Sequence, residues 1–361
     1  MKTIGLLLTF FIALRASPSY SVSDLGTLGS SSMTGFKTSD SGTAIGWGQT
    51  VYGYSQAFQS VNGGSLQTLG SLSASDSYAM GINSAGVIAG TAFVNGQPHG
   101  VIWNGSGTTD LGAGIYATGI NDSGVVIGSN GHAFTLSNGV YHDLGALAGG
   151  DWSSASGIND SGAVVGDSSV ASGNFRGFVW TPQSGMLALG TFGGLNSHAT
   201  GINNSGEVIG YASLPSGYEH AFSAQGTVLT DLGTLGGSSF AYGINDSGAI
   251  VGYSWPVNGD NPHAFLYLNG IMIDLNGLIP GGSGWQLLEA YGINNAGQIV
   301  GEGLLNGQPH AFQLDPASVG TGFALSLAPI PEPGTVWFAG FGMILVWVWG
   351  WRISLWARRS L

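Results

Sequence analysis

The 361-residue sequence contains no cysteine. Disulfide staples are excluded, so any closure of the fold must come from hydrogen bonds and packing. Basic residues are scarce too: seven Lys and Arg stand against nineteen Asp and Glu, a formal charge of −12. Between Asp24 and Asp315 the only bases are Lys37 and Arg176 against 18 acids, a net −16. Such a field repels a phosphate backbone and argues against nucleic acid as a partner. It tolerates divalent cations and neutral polymers such as glycans. Hydrophobic residues make up 43 %, too many for a disordered polar linker. A serine nucleophile elbow, a zinc-binding helix motif and a phosphate-cradling glycine loop are all missing from the sequence.

What the chain has in excess is glycine, 65 residues. It follows no strict Gly-X-Y period, which excludes collagen. A strand glycine is unfavourable by roughly 0.5–1 kcal/mol relative to Ala, so this many imply tight turns and close backbone approach. Much of the excess belongs to one phrase in seven copies, clearest at Gly243-Ile244-Asn245-Asp246-Ser247-Gly248-Ala249-Ile250-Val251-Gly252. Other copies start at Gly81, Gly119, Gly157, Gly201 and Gly292, and a worn copy starts at Lys37. The phrase predicts a hairpin. An apolar strand ends at Ile-Asn, Asx-Ser-Gly turns the chain, and a β-branched run leads out.

Each unit carries two further strand-like runs. One centres on His-Ala-Phe, at His132, His220, His263 and His310, with variants starting at His99, Gln56 and Arg176. The other is Asp-Leu-Gly, at Asp24, Asp110, Asp143 and Asp231, with looser copies at Thr68, Ala188 and Asp274. Spacings of 38, 38, 44, 42 and 49 between clear phrases fit four strands per unit, the period of a propeller blade. The expected fold is all-β, a seven-bladed β-propeller over 22–316. Asp-Leu-Gly precedes the first phrase, and none follows the last His-Ala-Phe. The frame is therefore offset by one strand, and the N-terminal strand should complete the seventh blade, pairing residues near 22–29 with those near 309–315.

Residues 1–21 read as a signal peptide: Lys2, an apolar core over Ile4–Leu14, and the small-x-small Ser19-Tyr20-Ser21. The core is too short to span a bilayer. At the other end, 317–333 is a linker carrying Pro331-Glu332-Pro333. Residues 334–351 are expected to form a transmembrane helix, about 25 Å long, with tryptophans crowding its C-terminal side. Residues 352–361, with Arg352, Arg358 and Arg359, form a basic tail placed in the cytoplasm by the positive-inside rule.

This composite tail resembles a PEP-CTERM sorting signal: Pro331, Glu332 and Pro333, then the apolar helix, then the arginines. The resemblance implies an exosortase as partner. It also implies export through the inner membrane of a Gram-negative bacterium and transient anchoring there. Delivery to the cell surface or extracellular matrix would follow, in association with exopolysaccharide and biofilm. The repeats resemble the extracellular HAF-repeat family, which implies an extracellular location and no defined activity.

Candidate site residues divide by column. The His-Ala-Phe histidines, one per blade, cannot converge on one ion with ~2 Å bonds, so each is expected to make a structural hydrogen bond. Asp40, Asp122, Asp160 and Asp246 lack the dense oxygen spacing of a calcium loop and read as turn residues. No metal, cofactor or catalytic residue is assigned. One variable column stands three residues before each phrase: Thr34, Tyr78, Tyr116, Ser154, His198, Phe240 and Glu289. It is the candidate ligand ring around one channel mouth, with Trp152 nearby, where aromatic faces would stack on sugars. Its plainer reading is packing between blades. The function expected is a non-enzymatic surface or matrix protein, a binding or structural component associated with exopolysaccharide that presents an acidic disc to polysaccharide or to other surface proteins, or serves as bulk matrix without a ligand. The alternative is a secreted glycan hydrolase or lyase. Clustering of the non-repeated acids Asp76, Asp151, Asp167, Glu207, Glu219, Asp260, Glu289 and Glu302 around one mouth would favour the enzyme.

Overall fold

The computed structural model describes residues 19–317, apart from 106, 258 and 260. The expected leader over 1–18 lies outside the described residues. So do the linker motif Pro331, Glu332 and Pro333, the apolar helix, and Arg352, Arg358 and Arg359. Among the described residues the one helix is a short 3₁₀ turn at Leu275–Gly277, and no helix is long and apolar enough to cross a membrane.

Seven four-stranded antiparallel sheets make up the fold, one per repeat. Blade two shows the pattern: Ser77–Ile82, Ile88–Val94, Gln97–Trp103 and Thr108–Ala113. The phrase forms its first hairpin. Asn83 N donates to Val87 O, Gly86 N donates to Asn83 O, and Gly86 has φ +76°, which glycine adopts without strain. Asn-Gly pairs such as Asn138-Gly139 and Asn269-Gly270 make two-residue turns with positive φ at both positions.

The seventh blade contains Trp285–Ile293, Ile299–Leu305 and Gln308–Pro316. Its outer strand is Tyr20–Gly26, from the other end of the chain. Val22 pairs with Leu314 and Asp24 with Phe312. The ring is thus closed by the expected N-terminal strand. That strand begins before residue 22 and includes Tyr20, whose side chain is buried and whose amide donates to Leu278 O at 2.9 Å.

The core lies between blades. The His-Ala-Phe phenylalanines Phe58, Phe134, Phe178, Phe222, Phe265 and Phe312 are fully buried. Several stand directly over a second-strand glycine. A Cβ at Gly252 would lie 2.9 Å from the Phe265 ring. In blade two the phenylalanine is replaced by Val101, and Trp103 covers the equivalent Gly90. On the axis the inner strands touch: a Cβ at Gly81 would fall 2.7 Å from Gly119 Cα, and six of the seven blades carry glycine in that column. Lys37 occupies the same column in blade one.

Candidate functional site

The histidine column is structural, as expected. His99, His132, His220, His263 and His310 each direct Nδ1 at the Asp-Leu-Gly aspartate of their own blade: Asp110, Asp143, Asp231, Asp274 and Asp24. Each aspartate also accepts from the amide two residues on, as Asp143 does from Gly145 at 2.7 Å. The two blades lacking the histidine, with Gln56 and Arg176 there, also lack the aspartate, having Thr68 and Ala188. In the last blade the same pair joins residues 286 positions apart in the chain, His310 to Asp24 at 2.9 Å.

The Asx turns face the opposite mouth, where a cavity of about 190 Å³ is lined from all seven blades. Each buried asparagine does two things. Asn245 Oδ1 accepts from Ala249 N within its own turn, while Nδ2 donates to Asn294 O on the next blade at 3.0 Å. The same link passes from Asn83 to Asn121, Asn159, Asn203, Asn245, Asn294 and Ser39. A second belt runs beside it: the amides of Ser84, Asp122, Asn204 and Asn295 donate to Asp122, Asp160, Asp246 and Asp40. The four turn aspartates occupy the turns, but their carboxylates bond the neighbouring blade, and the residue before each, Asn121, Asn159, Asn245 or Ser39, makes the bond that closes the turn. Toward the other mouth, buried Ser77, Ser153, Ser197 and Ser239 accept from third-strand amides of the preceding blade.

The candidate ring lies at that other mouth. Thr34, Tyr78, Tyr116, Ser154, His198, Phe240 and Glu289 all sit on inner strands in equivalent register, opposite Trp47, Thr91, Ser129, Asp167, Tyr211, Tyr253 and Glu302. Their side chains reach the seams between blades. Tyr78 meets Trp47 edge-on at 5.3 Å, and Phe240 meets Tyr211 at 4.9 Å. His198 Nδ1 lies 3.0 Å from Asp167 Oδ2, and Thr34 Oγ1 donates to Glu302 Oε2 at 2.6 Å. Thr34 is buried, whereas Tyr116 is 47 % exposed. The column both packs the seams and borders the mouth.

A second column enters the channel that the sequence reading did not single out. In every blade the inner strand has a bulge just before the phrase, as between Ala79 and Gly81. The extra residue is Phe36, Met80, Thr118, Ser156, Thr200, Tyr242 or Tyr291. A bulge re-aims its side chain, and five of these line an axial cavity of about 230 Å³ with Lys37. Lys37 Nζ crosses from blade one to donate to Tyr242 O at 3.1 Å. Lost hydration pulls its pKa down to about 8.

The non-repeated acids gather unevenly. Glu289 and Glu302 face each other across the first hairpin of blade seven. Glu289 accepts from Tyr291 Oη, and burial pushes both carboxyls above the usual range. Asp167 and Glu219 act on the same neighbourhood. Burial would lower His198, but the bond to Asp167 and both carboxylates hold it above its ordinary value. The Tyr211, Tyr242 and Tyr291 hydroxyls are pushed far up, chiefly by burial and then by these acids and neighbouring tyrosines, so they remain proton donors. Asp76 instead caps Ser55 N, Asp151 bonds Ser169 beside Trp152, and Glu207 stands on the turn side near Gly248. Asp260 lies outside the described residues. Among the described residues no cluster of His, Asp and Glu is arranged to hold a metal.

No family model and no curated protein matches this sequence. Several solved propellers are similar in fold. A puromycin-hydrolysing peptidase of Mycobacterium tuberculosis matches with a TM-score of 0.53 at 10 % identity, over 84 % of this chain and 55 % of that one. YCF48 bound to D1 peptide matches at 0.45 and 12 % identity, over 88 % and 99 %. TolB from Acinetobacter baumannii matches at 0.40 and 11 %, over 75 % and 63 %. This chain thus spans less than two thirds of the TolB and peptidase chains, and at these identities the likeness extends to the fold alone.

Proposed function

We propose that this is an exported, non-enzymatic surface or matrix protein that holds extracellular polysaccharide at the aromatic mouth of its propeller. The leader and the resemblance of the tail to a PEP-CTERM signal support the route: inner-membrane export, transient anchoring and recognition by an exosortase. The observation that carries the binding reading is the company kept at one mouth. Tyr78, Tyr116, His198 and Phe240 gather there with Tyr211 and Tyr253 at the level of the inner-strand starts, and Tyr116 keeps a wide exposed face. Concave sites lined by rings with a few convergent polar groups suit small ligands and chain segments of polymers. The test is co-sedimentation of the purified protein with the producing cells' extracellular polysaccharide. Replacing Tyr78, Tyr116 and Phe240 together by Ala should release it, and unchanged retention would refute the mouth as the site.

A second reading, a glycan hydrolase or lyase, is favoured by the pairing of Glu289 with Glu302. Two adjacent carboxyls raised by burial resemble an acid–base pair. Both are already engaged, with Tyr291 and Thr34, which suits positioning better than proton transfer. Release of new sugar ends that stops in Glu302→Gln would establish the enzyme.

A further inference from the structure

An arc of rings runs from the rim toward the channel. It passes from Trp152 to Phe175, His198, Tyr211, Phe240, Tyr253 and Tyr242, with successive centroids 4.7–6.2 Å apart. At its outer end Trp152 and Phe175 are each 38 % exposed and meet edge to face over a groove of about 650 Å³. Carboxylates accompany the arc along its length. Asp151 stands beside Trp152 in that groove, Asp167 and Glu219 beside His198 and Tyr211, and Glu289 and Glu302 near Tyr253. Neither base among the described residues forms an ion pair with them. Arg176 is turned onto the carbonyls of Phe175 and Leu195, and Lys37 is held inside the channel on Tyr242 O. Every ion pair among the described residues is a histidine pair, and of these five acids only Asp167 has one.

From this charge pattern we infer that the arc is an extended groove for a polysaccharide whose sugars carry free, protonated amines. The inference rests on the glycan-binding reading and names its ligand class. The apolar face of a sugar lies flat on an aromatic ring. An ammonium on that sugar is attracted by the ring face and by the carboxylates beside it. Half-buried carboxylates without a cationic partner leave a field that such a ligand completes. An N-acetylated sugar keeps the stacking and loses the charge. A uronate polymer meets like charge along the whole arc, so the same groove selects against it.

The test is calorimetric titration of the full-length chain in detergent micelles at low salt with four probes: a glucosamine hexamer, its N-acetylated counterpart, a uronate hexamer and hexalysine. The glucosamine hexamer should bind about tenfold or more tighter than the N-acetylated one, the combined scale of a cation–ring contact and an exposed ion pair. Glu302→Gln and Asp151→Asn should narrow that ratio. Trp152→Ala, at the exposed rim, should weaken both neutral and amine hexamers while the variant still unfolds in one cooperative transition. Equal binding of the two hexamers, or tighter uronate binding, would overturn the amine assignment and leave the glycan reading standing. No binding of any sugar would remove the glycan reading and this inference with it. Hexalysine binding as tightly as glucosamine and indifferent to Trp152→Ala would overturn the inference in favour of a charge patch for polypeptides.

Discussion

At the scale of single residues, Asn245 shows how a chain without cysteine fastens its blades. One end of its side chain closes its own turn and the other reaches the next blade, in a site nearly sealed from water. Asn245→Ala strands buried donors and acceptors on two blades. It should cost about 1–3 kcal/mol or more, read as a lower urea midpoint with an unchanged slope. The aspartates of the outer strands give a pH signature. Asp143 is held below the usual carboxylate range, first by the Gly145 amide and then, against the effect of burial, by His132. In Asp110 burial is the largest influence and raises it, but the Gly112 amide and His99 together outweigh it. Folded values below the unfolded ones mean stabilisation that is present above about pH 4 and lost as pH falls through the folded values. Glu289 and Glu302 have the opposite sign: burial raises them, so stability declines as pH rises from about 4 through their folded values. Unfolding measured across pH should therefore show a shallower acid limb in Asp110→Asn/Asp143→Asn, and a flatter decline above pH 4 in Glu302→Gln. The turns were legible from residues alone, because Gly, and Asn before it in the Asn-Gly turns, suit the positive φ that closes them. The inter-blade reach of each Asn Nδ2 was not, since its partner lies 38–49 residues away in five of the six links and 255 away, over the ring closure, in the sixth.

At the scale of elements, the outer strand of the seventh blade differs from the other six in having no hairpin to tether it. Non-covalent contacts hold Tyr20–Gly26 beside Gln308–Pro316: strand pairing, the buried Tyr20 and Leu25, and the Asp24–His310 bond. Removing the His310 partner by Asp24→Ala should therefore lower the melting temperature more than Asp143→Ala, whose strand stays joined through Asn138-Gly139. Equal effects would mean that the closing strand is not the weak point. Tyr20 adds a constraint on processing. Cleavage after Ser21 would remove a buried ring and the pairs Tyr20–Pro316 and Ser21–Asp315, so any leader cleavage should leave Tyr20 in place. Its intact mass decides this. The offset of motifs by one strand made the closure readable in advance, because seven copies of each run had to be shared among seven blades. The bulges were not readable. They move the axial position from the column before the Ala to the one after it, and nothing in the pattern Ala-x-Gly distinguishes a paired x from an unpaired one.

At the scale of the whole molecule, the two mouths have different chemistry. The turn-side mouth uses its carboxylates and amides to tie blades together, which leaves them committed to the fold. The other mouth gathers rings and acids that differ from blade to blade, which a purely geometric role does not require. The sequence made the variable column visible, and the structure adds its convergence: Asp167, Glu219, Glu289 and Glu302 come from strands of blades four, five and seven. Separation along the chain hid that grouping until the ring closed. The most direct measurement is hydrogen exchange with and without the producing cells' polysaccharide. Slowed exchange should be confined to segments at the ring-and-acid mouth, around 77–79, 115–117, 152–154, 175–177, 196–200 and 238–242, with the Asx turns unchanged. Unaltered exchange everywhere, or protection confined to the outer strands or the Asx turns, would contradict polysaccharide binding at that mouth.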